Sequence, residues 1–256
     1  MTETPTHQTA TETAAISVRG FGKTYPDTVA VDALSFDVPA GSILGLLGPN
    51  GAGKTTTLRA LAGIIPPTHG ELRIAGMSVT QHPVRAKERL AFVPDDPKLF
   101  DLLTVWEHLE FIAAAYRMRD FASTAEALLD EFELTDKRNT PAQGLSRGMR
   151  QKVAICCAYL HTPSVILLDE PMTGLDPHGI RAFKASILER ARRGAAVIIS
   201  SHLLSLIEDL CSHLLILHHG RSLFAGTADE ARLRYPALQG SATLEEVFFR
   251  ATDEHS

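Results

Sequence analysis

The sequence has few cysteines and no long apolar run. Its three cysteines are a small and odd number, which excludes a disulfide framework and is typical of a reducing cytosol. No apolar stretch approaches the roughly 18 residues needed to span a bilayer, and no basic segment followed by an apolar one indicates a secretory signal. We therefore expect an intracellular chain that reaches a membrane only through a partner.

The sequence also lacks an excess of basic residues. Lysine and arginine number 25 against 30 aspartates and glutamates, a formal net charge of −5, so a general nucleic-acid surface is not expected. The length of 256 residues and the hydrophobic fraction of 45% fit one large domain, or one domain with a subdomain. We expect residues 1–14 to be a disordered leader, residues 15–250 to form a single domain and residues 251–256 to be a tail.

The most informative feature that is present is the phosphate-binding pattern G-x-x-x-x-G-K-[ST]. It reads Gly48-Pro49-Asn50-Gly51-Ala52-Gly53-Lys54-Thr55-Thr56. Glycines let the backbone turn tightly and point N–H groups into one concavity, which the positive end of the following helix dipole also faces. We expect Lys54 to reach the β- and γ-phosphates of a nucleotide and the Thr55 hydroxyl to ligate Mg²⁺.

Two adjacent carboxylates, Asp169 and Glu170, follow the continuous apolar run 165–168, which is typical of a parallel strand buried on both faces. Ligands of open α/β sheets bind beyond the carboxyl ends of the strands. We expect Asp169 to hold the Mg²⁺ shared with Thr55 and Glu170 to polarise a water molecule for attack on the γ-phosphate. The alternative is a solvated acidic turn, which the phosphate loop makes unattractive.

The periodicity of apolar residues predicts the fold class. Alternating patterns predict half-buried antiparallel strands at 16–19, 34–38 and 70–74. Continuous apolar runs separated by helical patterns predict a mainly parallel sheet; the runs lie at 43–47, 165–168, 196–200 and 214–217, and the helical patterns at about 178–193 and 203–211. Residues from about 95 to 150 read as all-helical. We therefore predict an α/β fold, namely a P-loop NTPase core with a mainly parallel sheet, an antiparallel β subdomain and an all-helical insertion.

The order of motifs resembles that of the ATP-binding subunits of ABC transporters, over nearly all of residues 15–250. The further segments that match this family are Phe21-Gly22-Lys23-Thr24-Tyr25 (the aromatic that stacks on adenine), Leu145-Ser146-Arg147-Gly148-Met149 (the signature), Thr173-Gly174-Leu175-Asp176-Pro177 (the D-loop) and Ser200-Ser201-His202 (the switch histidine).

The resemblance implies a role for each of these segments. Tyr25 would stack on the adenine, and His202 would contact the γ-phosphate and hold the attacking water. Ser146 and the Gly148 N–H would reach the γ-phosphate from a second subunit in a head-to-tail dimer, and Asp176 would couple the two sites. Structural alternatives stay open: a core aromatic for Tyr25, a surface side chain for His202, and helix N-caps for Ser146 and Asp176.

The chain departs from the family pattern at three positions. Arg147 and Met149 replace the first Gly and the Gln of the signature, while Ser146 and Gly148 are retained. Asp95 occupies the place of a Gln that touches Mg²⁺ and water, and an Asp also ligates Mg²⁺ through oxygen. Variants of this kind look like those of ABC-2 exporter ATPases.

The resemblance thus implies an ATPase with ATP and Mg²⁺ as cofactors that powers a membrane exporter through ATP-driven dimerisation. Its partners would be a transmembrane permease subunit, which holds it at the cytoplasmic face, and a second ATP-binding copy in a homodimer. One alternative is a soluble ABC ATPase acting on nucleic acid or ribosomes, which the single cassette without a long coiled coil disfavours. Another is an ATP-binding regulatory subunit without hydrolysis, which Glu170 and His202 disfavour.

Overall fold

The structure of the protein, a computed structural model, describes residues 14–202, 204–235 and 243–253. Apart from Ala14, the predicted leader lies outside the described residues, as do residues 254–256 of the predicted tail.

Strands and helices alternate along most of the chain. The strands are β1 (Ile16–Tyr25), β2 (Thr28–Val38), β3 (Ile43–Leu47), β4 (His69–Ile74), β5 (Met77–Ser78), β6 (Leu90–Val93), β7 (Val165–Asp169), β8 (Ala196–Ser200), β9 (His213–His218) and β10 (Arg221–Thr227). The α-helices are α1 (Lys54–Leu61), α2 (Pro83–Lys87), α3 (Val105–Ala115), α4 (Ala122–Glu131), α5 (Arg147–Tyr159), α6 (Pro177–Arg192), α7 (Leu204–Ile207), α8 (Ala228–Arg234) and α9 (Leu244–Asp253).

A six-stranded sheet in the order β10-β9-β3-β8-β7-β6 forms the centre of the molecule. Its strands pair in parallel except for β10, which adds to β9 in the antiparallel sense. The inner strands are mainly apolar because both faces of the sheet are covered. In β7, for example, Ile166 and Leu168 enter one hydrophobic cluster, and Val165 and Leu167 enter the other. The predicted mainly parallel sheet is confirmed.

A second sheet, in the order β2-β1-β4-β5, is antiparallel and shares a hydrophobic cluster with α1. The strands β1 and β2 are longer than the predicted segments 16–19 and 34–38. Their pairing shifts register at three places after Val18, and each shift breaks the strict alternation on which the prediction depended.

The all-helical insertion lies between β6 and β7 and contains α3, α4 and α5. A capping box of Thr104 and Glu107 begins α3, as its sequence pattern indicates. Helix α5 extends to Tyr159, beyond the predicted boundary near residue 150, because its apolar face continues into the core beside the central sheet. Within the described residues, no helix combines the length and apolarity required to cross a bilayer.

Four short elements were not predicted, and one predicted helix is shorter. The elements are α2, β5, β10 and α8. In β10 a register shift between Ser222 and Phe224 hides the alternating pattern. Of the predicted helix at 203–211, the described residues contain only α7, Leu204–Ile207.

Candidate nucleotide-binding site

The glycine-rich loop joins β3 to α1, and its glycines meet steric requirements as well as conformational ones. Gly48 and Gly53 have φ angles of +156° and +102°. A Cβ on Gly48 would lie 2.5 Å from the Leu217 carbonyl oxygen, and one on Gly53 would lie 2.6 Å from that of Ala30. Since Gly53 is the N-cap of α1 and has no side chain, the N–H groups of the first turn remain available to an anion.

The turn between β9 and β10 is hydrogen-bonded to this loop. The Gly220 N–H donates to the Ala52 carbonyl oxygen at 3.2 Å, and the Asp32 N–H donates to the Gly220 carbonyl oxygen at 2.8 Å. A Cβ on Gly220 would come within 2.8 Å of the Ala30 carbonyl oxygen. The contact of this turn with the phosphate loop is a tertiary feature that sequence reasoning missed.

Lys54 lies buried across the mouth of its own loop. Its Nζ donates to the Gly48 carbonyl oxygen at 2.6 Å and to that of Pro49 at 3.2 Å. Burial lowers the pKa of Lys54, and the nearby carboxylates of Glu170 and Asp169 oppose that shift. The ammonium group is therefore held where anionic oxygens bound by the loop would meet it.

Asp169 and Glu170 are oriented by Ser200, the last residue of the neighbouring strand β8. The Ser200 hydroxyl donates to Asp169 Oδ1 at 2.7 Å, and it accepts from the Glu170 N–H at 3.1 Å. Glu170 has a φ of +48°, a left-handed conformation that costs a non-glycine residue energy and that occurs at functional sites. Sequence reasoning missed Ser200; its one signal was a polar residue ending a buried apolar strand.

The structure brings two of the predicted catalytic side chains, Glu170 and His202, into contact. Glu170 Oε2 lies 2.7 Å from His202 Nδ1 and also accepts from the His202 backbone N–H at 3.3 Å. The Glu170 side chain is 18% exposed and that of His202 is 58% exposed. A largely buried carboxylate is thus held by a histidine that faces solvent.

Lys54, Asp169 and Glu170 line one open cavity of about 590 Å³, whereas His202 contacts Glu170 from outside its lining. Its lining consists of Tyr25, Thr28, Ala30, Asn50, Gly51, Ala52, Gly53, Lys54, Thr55, Thr56, Asp95, Asp169 and Glu170. Backbone donors and an ammonium group suit phosphates, and a hydroxyl beside carboxylates is the oxygen donor set that Mg²⁺ prefers. The half-exposed Tyr25 ring offers a flat surface for a base. The residues present therefore fit a magnesium nucleotide.

The predicted site residues outside the described lining of this cavity are Gly48, Pro49, His202, Ser146, Gly148 and Asp176. The last three are those assigned to the nucleotide of a second subunit. Ser146 is the N-cap of α5, with its hydroxyl 3.2 Å from the Met149 N–H. Asp176 is the N-cap of α6 and accepts from the Gly179 N–H at 2.6 Å. Gly148 lies against the turn before α6, where a Cβ would be 2.5 Å from the Gly174 carbonyl oxygen. Their predicted role, contact with the nucleotide of a second subunit, stays a prediction.

A family model described as "ABC transporter" matches residues 31–173, more than half of the chain. The chain belongs to the ABC transporter family. The ABC-type transporter ATP-binding protein EcsA of Bacillus subtilis (strain 168) is 33% identical over 241 residues, 93% of this chain and 97% of the relative. Nod factor export ATP-binding protein I of Ralstonia nicotianae is 34% identical over 220 residues, 85% of this chain and 68% of the relative.

The fold agrees with this membership. A solved structure described as the ATP binding subunit of an ABC transporter has a TM-score of 0.88 at 33% identity, covering 93% of this chain and 99% of the other. The predicted family, fold class and ATPase activity are confirmed. The chain is an ATP-binding subunit of the ABC transporter family, whose members of this kind work with transmembrane components.

Replacing Ser200 with alanine tests whether this hydroxyl orients the Asp169 carboxylate and the Glu170 backbone of the ABC site. We expect Ser200→Ala to lower the free energy of unfolding by about 1–3 kcal/mol, because the buried Asp169 carboxylate and the Glu170 N–H each lose a partner. ATP turnover should fall at least about tenfold, because the Asp169 carboxylate loses the hydroxyl that orients it. Chemical denaturation and a steady-state ATPase assay measure the two effects.

Ser186→Ala is the matched control, since Ser186 is also buried and donates to the Phe183 carbonyl oxygen at 2.8 Å within α6, away from the cavity. This variant should lose stability and keep its turnover. Equal turnover in the two variants would contradict the role given to Ser200.

Proposed function

We propose that this ABC subunit hydrolyses ATP with Glu170 as the base and His202 as the residue that holds it, and that the hydrolysis powers a membrane exporter. The observation that supports this most is the 2.7 Å contact between Glu170 Oε2 and His202 Nδ1. It lies at the carboxyl ends of the central strands, beside a phosphate loop that contains Lys54. A carboxylate placed there can accept the proton of a water molecule that attacks the γ-phosphate.

The nucleotide is held by residues of three elements. The Tyr25 ring stacks on the adenine, the N–H groups of the loop 48–56 surround the phosphates, and Lys54 offsets their charge. Mg²⁺ would be held by Thr55, Asp169 and Asp95, and when bound it neutralises charge that develops on the phosphate oxygens. Support for this ligand set comes from the shared cavity lining.

A second copy of the chain completes the site. Ser146 and Asp176 are exposed residues at the N-termini of α5 and α6, where backbone N–H groups face outward. Since neither residue belongs to the described lining of its own cavity, we infer that they, with Gly148, contact ATP bound by the partner copy. ATP then bridges a head-to-tail homodimer, and hydrolysis removes the bridging contacts.

The transmembrane partner would bind an apolar groove of about 470 Å³ between the Asp95 loop and helices α3 and α5. Pro94 and Pro97 of that loop line the groove together with Phe100 and Phe111, whose side chains are more than half exposed. Contiguous exposed apolar surface marks an interaction site, and a short amphipathic helix is an occupant of suitable shape. Such a partner would hold the chain at the cytoplasmic face of the membrane. Support for the export direction comes from Asp95 and Arg147, at which the chain departs from the common family pattern, and from its similarity to Nod factor export ATP-binding protein I.

Replacing Glu170 with glutamine tests the catalytic and the dimer proposals together. We expect Glu170→Gln to lower ATP turnover by about 100-fold or more, because glutamine cannot accept the proton of the attacking water. The variant should still bind ATP and should form a stable dimer with ATP but not with ADP. Turnover assays and light scattering after size exclusion measure these effects.

Glu189→Gln serves as the control for Glu170→Gln, since Glu189 lies near the end of α6 and pairs with Arg193. It should remain monomeric at the same ATP concentration and should keep its turnover. Native turnover in Glu170→Gln would contradict the catalytic role, and a monomer with bound ATP would contradict the dimer.

The groove is tested by Phe111→Ser in the full chain expressed with its membrane components. We expect recovery of the transmembrane partner in affinity capture to fall about tenfold, because a central aromatic contact is lost. Leu233→Ser is the matched control, because Leu233 is an exposed apolar residue of α8 outside the groove. Equal recovery with both variants would contradict docking at the groove, and thermal unfolding verifies that both are folded.

A further inference from the structure

Two residues that depart from the family pattern, Asp95 and Arg147, contact each other. Arg147 Nη2 lies 3.6 Å from Asp95 Oδ1, and the two side chains are 62% and 51% exposed. Asp95 belongs to the lining of the nucleotide cavity, whereas Arg147, the first residue of α5, does not. The pair therefore joins the helical insertion to the wall of the cavity.

The Arg147 side chain is held along its length. Its methylene groups lie against Gly174, where an added Cβ would be 3.3 Å from both Cγ and Cδ of Arg147. The guanidinium group thus extends from the turn before α6 to the Asp95 loop. Contact at both ends favours a preferred position for the charge over a freely rotating side chain.

A second ion pair connects the same two segments outside the cavity. Arg150, one helical turn after Arg147, lies 3.1 Å from Asp101 Oδ1 and also donates to the Ala142 carbonyl oxygen at 3.1 Å. Asp101 is absent from the described cavity lining. The Arg150–Asp101 pair joins the same helix to the same loop as the Arg147–Asp95 pair, but neither of its residues lines the nucleotide cavity. It therefore serves as a control for the first pair.

Charge explains what the first pair does at the cavity. Three carboxylates, Asp95, Asp169 and Glu170, line a cavity into which Lys54 brings one positive charge. Phosphates of a nucleotide add several negative charges, and Asp169 and Glu170 are held by Ser200 and His202. Asp95 adds a third carboxylate to the wall that the phosphates approach, and without Arg147 beside it this negative charge would repel them.

We propose that Arg147 is a positioning residue that holds the Asp95 carboxylate at the rim of the cavity and thereby sets the affinity of the site for the phosphates of ATP. This inference rests on the proposed placement of the phosphates beside Lys54. Arg147 acts through Asp95, since its guanidinium group contacts that carboxylate while the residue itself lies outside the cavity lining.

A double-mutant cycle on ATP binding tests the proposal. Binding of a fluorescent ATP analogue is measured with EDTA present, in the wild type, Arg147→Gln, Asp95→Asn and the double variant. We expect Arg147→Gln to weaken binding about threefold in the wild-type background, because the negative charge of Asp95 is then no longer offset. In the Asp95→Asn background the same substitution should have little effect. The threefold effect should shrink in high salt.

Two further variants complete the design. Arg150→Gln, the matched control, should bind the analogue like the wild type, and Arg147→Lys should restore binding to within about twofold because it keeps the charge. An equal effect of Arg147→Gln in both backgrounds, no effect in either, or an effect independent of salt would overturn the proposal. A wild-type chain that fails to bind the analogue would instead overturn the proposed site, so the two failures are distinguishable.

Discussion

The parallel register of β3, β8 and β7 is the constraint on which the site depends. Ser200 pairs with Leu46 on one side and with Asp169 on the other, so the three strands end at the same edge of the sheet. That edge places the phosphate loop and the two carboxylates around one cavity, and His202 contacts Glu170 beside it. A shift of one residue in the pairing of β8 would turn Ser200 to the opposite face of the sheet. The hydrogen bonds of its hydroxyl with the Asp169 carboxylate and the Glu170 N–H would then be lost. The pairing of β3, β8 and β7 therefore determines which groups meet at the nucleotide site.

The walls of the cavity come from parts of the chain that have no motif. The backbone of Ala30 and Leu217 lies so close to the loop that only glycine fits at positions 48 and 53. The antiparallel sheet and the β9–β10 turn thus pack against the phosphate loop and restrict its conformation. The helical insertion contributes the Asp95–Arg147 ion pair. Each subdomain therefore has a direct physical connection to the place where the phosphates would lie.

Local patterns predicted the parts of the site, and tertiary contacts decided how they meet. The phosphate loop and the strand before Asp169 depend on neighbours in sequence, and the structure has both. Ser200 and Gly220 form hydrogen bonds with residues that are distant in sequence, Asp169 and Ala52. Local sequence patterns do not predict such long-range contacts. The strand ends in β1 were missed because its register shifts destroy the alternating pattern.

The central claim is that ATP binds at this one edge of the sheet and is contacted from the loop, from β7 and from β8. Hydrogen exchange of the full chain with and without magnesium ATP tests it most directly, because each amide reports its own protection. With magnesium ATP, we expect slower amide hydrogen exchange at residues 48–57, at Glu170 and at His202, with no comparable change in α8. Protection confined to other segments, or none at these residues under saturating ATP, would contradict it.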